Sequence, residues 1–415
     1  MNALTETTMS NSLLPAELLD NIVGLLHEAT HSLRNCCLIS KSWVPPTRKH
    51  LFANIRFHAE KDLRLWEKTF PDPSTSPACY AKTLFVGCPH LVKTADVEPG
   101  GWITGFSRLV NLELTNQRML THERGDCFIP FHGLSPVIRS LRVDYVLFSS
   151  SEIFDLILSF PLLEDLVVIA NTEMTIWGKS NRSNELSTTV QPPSPPAFTG
   201  SLELSFEGGM KPIARRLLSS PGGLHFRKLT LTWHHEEDPS WTMALVEECS
   251  HTLESLTIVY ILYSTLIRVC TCVPTDNLIL SPAELAQTSI DLSKAKKLKD
   301  VVFRPKSRSV NWIATTLRTI TRKHRDLRQI SIHVPHYLTL SNVGDNIRAI
   351  IGDAACGQWL DLDRLLVQFW ESRSIRPRMI RTPPRGERQD TWVRDCIGRL
   401  LPETTRREII DLVEC

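Results

Sequence analysis

The densest run of ionisable side chains is His234-His235-Glu236-Glu237-Asp238, directly after Trp233. It holds two imidazoles and three carboxylates, donor types able to bind a divalent cation. Their adjacency argues against that use. Neighbours on an extended chain point to opposite sides, so consecutive histidines rarely reach one ion, and the run reads as a solvated turn. Asp361 and Asp363 flank Leu362 at a spacing some sugar-nucleotide enzymes use for a metal, yet they stand at the entry of a stretch with strand-like spacing, where acidic residues are ordinary. The 11 cysteines are scattered and never form C-x-x-C, so neither a zinc site nor a disulfide framework is suggested. They read as reduced, mostly buried small hydrophobes of an intracellular protein, cytoplasmic or nuclear. The local signatures of esterase, dinucleotide and P-loop chemistry are missing, and no cysteine stands in a recognisable nucleophile motif. No cofactor and no metal is expected, although missing motifs alone do not exclude an enzyme.

Cations are the remaining chemically suggestive groups. Arg373, Arg376, Arg378, Arg381, Arg385 and Arg388 share residues 371–391 with Pro377, Pro383 and Pro384, which predicts a basic loop. Arginines on a loop can hold phosphates, and Lys296, Lys297, Lys299, Arg304, Lys306 and Arg308 could add to them. Most such runs are solvated connectors, and 47 Lys+Arg against 45 Asp+Glu leaves a net charge of only +2, so the whole chain favours no polyanion.

These groups must be positioned by a repeat. After residue 80 the chain returns to an apolar residue, two variable, an apolar residue, one variable, and another apolar residue. Leu109-x-x-Leu112-x-Leu114, Leu163-x-x-Leu166-x-Val168, Phe226-x-x-Leu229-x-Leu231 and Leu362-x-x-Leu365-x-Val367 are examples. The middle residues, at 84, 112, 141, 166, 202, 229, 256, 301, 330 and 365, are separated by 28, 29, 25, 36, 27, 27, 45, 29 and 35. Helical spacing follows over 151–160, 212–219, 241–249 and 311–323, so each unit reads as strand, turn, helix. One unit cannot bury its apolar face alone, whereas stacked copies share a core. The apolar run 256–273 contains Arg268 and reads as a strand followed by a helix, not as a membrane span.

This pattern resembles a degenerate leucine-rich repeat. The family places Asn or Cys three residues after the last strand leucine, and here only Val168 is followed correctly, by Asn171, while Gln117, Val146, His234, Ile261 and Lys306 stand elsewhere. An α/β domain of alternating strands and helices is the competing architecture.

Ahead of the repeats, Leu14, Leu18, Ile22 and Leu25 recur at steps of four, four and three, one stripe of a helix, with Ser12 able to cap it and Pro15 suited to its first turn. A second helical run over 32–43 places apolar residues at 33, 36, 39 and 43 before Pro45 and Pro46, which should end it, and a third helix is expected over 47–52. The pattern L-P-x-E-L-L-x-x-I followed by L-x-x-C-x-L-I-S-K-x-W is similar to the F-box, over about 40 of the 415 residues. That resemblance implies docking on the Skp-type adaptor of a cullin-RING ubiquitin ligase. Carried over by position, Leu14, Pro15, Glu17, Leu18 and Ile22 would form a first contact segment, and Leu33, Cys36, Ile39, Ser40 and Trp43 a second.

The expected fold is an α/β solenoid, a short three-helix module followed by an irregular leucine-rich-repeat horseshoe of about ten strand-helix units. Its layout is a disordered tail (1–11), the F-box-like module (12–58), a linker (59–79) and the repeat domain (80–370, with a loop at 180–199). The basic loop (371–391) and two capping helices separated by Pro402 (392–415) close it. The resemblances imply a substrate-recognition subunit of an SCF-type ligase, holding an unknown protein target on its repeats. The competing class is a repeat-based scaffold or nucleic-acid-binding protein outside any ligase.

Overall fold

The computed structural model describes residues 14–26, 29–87, 101–115, 131, 134, 136–144, 150–170, 196–206, 211–234, 240–261, 289–305, 310–334, 353–381 and 387–414. They fall into two compact units, Met1–Arg142 and Val143–Cys415.

In the first unit, helix α1 spans Ala16–Leu25 and is entered through Pro15, whose carbonyl accepts bonds from the Leu18 and Leu19 amides at 3.1 Å. Helix α2, Thr30–Ile39, stops where Ser40 turns extended (φ −162°, ψ 165°), and a single 3-10 turn over Lys41–Trp43 leads into α3, Val44–Leu51. Pro45 and Pro46 therefore open the third helix, where the sequence reading had them close the second. In a first turn the missing N–H has no intrahelical partner to lose. Ser12 lies outside the described residues.

The expected linker 59–79 is instead structured. Strand β1 (Asn54–Phe57) precedes α4 (Glu60–Thr69), whose start is fixed by Asp62, its Oδ2 accepting from the His58 and Ala59 amides at 2.9 and 3.0 Å. Trp66 of α4 packs edge-on or tilted against Phe57, Phe70 and Phe106, with ring centroids 5.6, 4.7 and 6.2 Å apart. Strands β2 (Thr83–Val86) and β3 (Asn111–Thr115) continue a parallel sheet, with Ile55 opposite Leu84 and Leu84 opposite Leu112. The sheet thus begins within the stretch assigned to the helical module, and module and first repeats share one unit. Strand β4 (Ser140–Asp144) contains the boundary between the units.

The second unit carries β5 (Asp165–Ala170), β6 (Ser201–Phe206), β7 (Lys228–His234), β8 (Ser255–Ile261), β9 (Asp300–Pro305), β10 (Gln329–His333), β11 (Pro377–Arg381) and β12 (Asp411–Glu414). Each pairs in parallel with its sequence neighbour, and Leu166, Leu202, Leu229, Leu256, Val301 and Ile330 stand opposite one another in turn. Strand order equal to chain order is that of a solenoid. A doubly wound α/β domain would reverse its order at a switch point. Helices α5 (Ser150–Leu158), α6 (Lys211–Leu218), α7 (Ser240–Glu248), α8 (Asn311–Arg318), α9 (Asp353–Arg373), α10 (Glu387–Leu400) and α11 (Pro402–Arg406) connect the strands. They close the core through residues such as Trp312, whose ring lies 5.5 Å from both Tyr260 and Phe303.

Three expectations are corrected at the C-terminal end. Leu362, Leu365 and Val367 lie on α9, not on a strand: Trp359, Leu362 and Leu366 recur at steps of three and four and are at most 1% exposed, so the helical period wins. The basic loop 371–391 contains β11, whose Pro377 occupies the first strand position, where a missing donor is tolerated. Of the last expected helix only the start is helical, as the short α11 that opens at Pro402, and its end lies on β12. Within the 180–199 insertion, Phe198 is fully buried and packs 5.3 Å from Phe226. The residues up to 195 lie outside the described set, as do Gln117, Val146, Asn171 and Lys306 of the repeat-ladder comparison.

Candidate interaction surfaces

The three-helix module separates its apolar residues between two sides. Leu19 and Val23 of α1 are 5% and 0% exposed, and Leu33 and Cys36 of α2 are buried with them. Lys49 of α3 bonds Asp20 at 2.7 Å, and this hydrogen bond holds the Asp20 carboxyl below its ordinary range.

The stripe singled out in the sequence faces the other way. Leu14, Leu18, Ile22 and Leu25 are 37%, 48%, 39% and 85% exposed, and Leu38 and Ile39 at the end of α2 are 83% and 62% exposed. Isolated exposed leucines need no explanation, but three on one face of α1, with Leu14 just ahead of it and two more in the same small module, do. Pro15, Glu17 and Ser40 are exposed as well, Trp43 is half-buried, and the Ser40 hydroxyl lies 2.7 Å from that of Ser42. Leu33 and Cys36 are thus corrected from contact residues to internal support. The sequence reading missed Leu38, which the helical angle from buried Leu33 and Cys36 already directs outward.

A second surface is the strand face that points away from the helices in the second unit. Arg304 of β9 is exposed and donates through Nε to His333 Nε2 of β10 at 3.2 Å, so His333 accepts as a neutral ring. Burial, and then Arg304, push His333 down to about 4. Arg378 of β11 donates to Gln329 Oε1 at 3.0 Å, and Gln329 donates to Ser331 Oγ at 2.7 Å. These are polar groups suited to binding, not a proton-transfer constellation.

The other candidates resolve into structure. Asp363 is 1% exposed on α9 and accepts from the Glu403 and Thr404 amides at 2.8 and 2.9 Å, anchoring the start of α11, while Asp361 pairs with Arg364 at 3.1 Å. Residues 235–238 of the histidine-acid run lie outside the described residues. Among the described residues no three His, Cys, Asp or Glu side chains gather where a metal could bind, and no helix is long and apolar enough to cross a membrane. Of the arginines at 371–391, Arg376 pairs with Asp411 at 3.2 Å, and Arg381 is buried and pairs with Glu414 at 2.7 Å. Burial pushes the thiols of Cys249 and Cys396 up to about 12 and about 11.

Fold and surfaces together define a strand-helix repeat protein headed by a helical module with an outward apolar face. No protein-family model and no curated protein matches the chain. Among solved structures it is similar to the leucine-rich repeat-containing protein LegL7 from Legionella pneumophila, at 12% identity over 78% of this chain and 91% of that one, with a TM-score of 0.36. The solenoid reading stands on the chain-ordered parallel strands and not on this likeness.

Proposed function

We propose that the chain is a substrate-recognition subunit of a cullin-RING ubiquitin ligase. The N-terminal module docks a Skp-type adaptor, and the repeats hold a protein target. The observation that carries this reading is the outward placement of Leu14, Leu18, Ile22 and Leu25 while Leu19 and Val23 fill the module's interior. A helix that shows a full apolar stripe to solvent gains by covering it, at roughly 1.5–3 kcal/mol for each large aliphatic side chain fully buried. Catalysis then belongs to the partner, and this chain contributes position and local concentration.

The test is titration of a purified Skp-type adaptor against the intact chain and its Ile22→Asp variant. A carboxylate forced into that contact costs several kcal/mol, so the expected weakening is at least a hundredfold. The far-ultraviolet spectrum and melting point should stay unchanged, because Ile22 is 39% exposed in the free chain. Undiminished adaptor binding by the variant, or none by the parent, would refute the proposal.

A further inference from the structure

The turns that lead into β9 and β10 form a rigid platform. The buried His324 Nδ1 accepts from the Thr321 amide at 3.1 Å, leaving Nε2–H to donate to the Leu292 carbonyl at 2.7 Å. Thr316 and Thr319 hydroxyls of the α8 region accept from the Ile290 and Leu292 amides at 3.1 and 2.9 Å. The Arg328 amide then joins the Lys299 carbonyl at 2.8 Å, so both turns are held to each other along the edge formed by the starts of the strands.

Residues 291–300 and 321–328 carry eight Lys or Arg against three Asp. Two of the cations are engaged, Lys294 with Glu247 and Lys299 with Glu254. The other six, Lys296, Lys297, Arg322, Lys323, Arg325 and Arg328, are exposed, and among the described residues none has a carboxylate within ion-pair distance. Asp326 is exposed and Asp300 half-buried, and Asp291 accepts from the Ser293 amide at 2.8 Å. The apolar residues of the same turns, Leu292, Ala295, Leu298 and Leu327, are buried, so no large apolar or aromatic side chain is offered alongside the cations.

We propose that this edge binds the sugar-phosphate backbone of a nucleic acid. Protein partners and membranes are usually engaged through an apolar anchor as well as charge. Fixed cations without such an anchor suit phosphates, whose release of condensed counterions supplies the binding free energy. The absence of exposed aromatic groups on these turns argues for backbone contacts without sequence reading. This activity is separate from the docking reading and stands or falls without it. It also relocates the phosphate-binding potential from the arginines at 371–391, several of which have partners.

The experiment is a titration of the intact chain with a mixed-sequence 24-base-pair DNA duplex between 50 and 200 mM salt. Six phosphate contacts predict an affinity loss on the order of a thousandfold across that range. The variant Lys296→Gln/Lys297→Gln/Arg325→Gln/Arg328→Gln should reduce the slope of log affinity against log salt by about 3 to 4. The variant Arg376→Gln, at an arginine already paired with Asp411, should bind within about threefold of the parent. Should the quadruple variant melt early, Lys297→Gln/Arg325→Gln gives the same reading at half the slope change. No duplex binding at 50 mM salt overturns the proposal, as does equal loss in the cluster and control variants. Preferential binding of phosphatidylserine vesicles or polyglutamate over the duplex overturns the nucleic-acid assignment.

Discussion

His333 connects one side chain to a measurable property of the whole fold. Its pKa is about 4 in the folded protein against 6.5 for an ordinary histidine, first because it is half-buried and second because Arg304 stands beside it. The unfolded chain therefore takes up the proton at higher pH than the folded one. The stability conferred by the neutral ring is complete above about 6.5 and is lost as pH falls from there toward 4. His333→Gln removes the titration, and the variant should lose less melting temperature than the parent between pH 7 and 4.5. Parallel declines in the two proteins would show that other groups set the acid limit. None of this was legible in the sequence, because the burial of residue 333 and the approach of Arg304 depend on strand register. Asp363 teaches the same lesson: its sequence setting reads as an ordinary acidic residue at a strand entry, whereas its carboxylate satisfies two backbone amides of α11.

At the scale of elements, the period-2 strand signal was read correctly wherever the flanking helix was separate from it. Leu84, Leu112, Leu141, Leu166, Leu202, Leu229, Leu256, Val301 and Ile330 are no more than 1% exposed at the second position of their strands. The reading failed at Leu365 because apolar residues three and five apart also fit a helix, and only the continuation through Trp359 and Phe369 discriminates. It missed β11 because Pro377 and alternating arginines mimic a loop. Turn chemistry is tight at the entry to β6. A methyl on Gly200 would lie 2.4 Å from Asp165 Oδ1 and 2.9 Å from the Glu164 carbonyl, displacing an aspartate that accepts from Ser201 N at 2.7 Å. Gly200→Ala should cost about 1–3 kcal/mol in urea unfolding. A change below 0.5 kcal/mol would mean the turn relaxes freely.

For the whole molecule, the layout most open to sequence reading was the repeat, and the least open was where it starts. Strand β1, with the burial alternation of Asn54–Phe57, is only four residues long and follows a helix directly, so its apolar pair Ile55 and Phe57 was absorbed into the module before it. Because each strand of the second unit meets only its sequence neighbours, a lesion should spread locally. Leu229→Ala, a deletion of core volume worth about 2–5 kcal/mol, should speed amide exchange in β6, β7 and β8 more than in β11 and β12. Uniform acceleration along the second unit would show that it opens as a single block.

The chain-ordered register also governs how the protein can change over evolution. Paired strands are joined by steps of 27 residues between Leu229 and Leu256 but 45 between Leu256 and Val301. The entropy of closing the longer segment exceeds that of the shorter by only about 0.5 kcal/mol, since the cost grows with the logarithm of length. Lengthening a connection therefore leaves the next strand's pairing nearly as favourable as before. New segments can be acquired between repeats without redesign of the core, and the joints between strands are where this architecture has latitude to diversify.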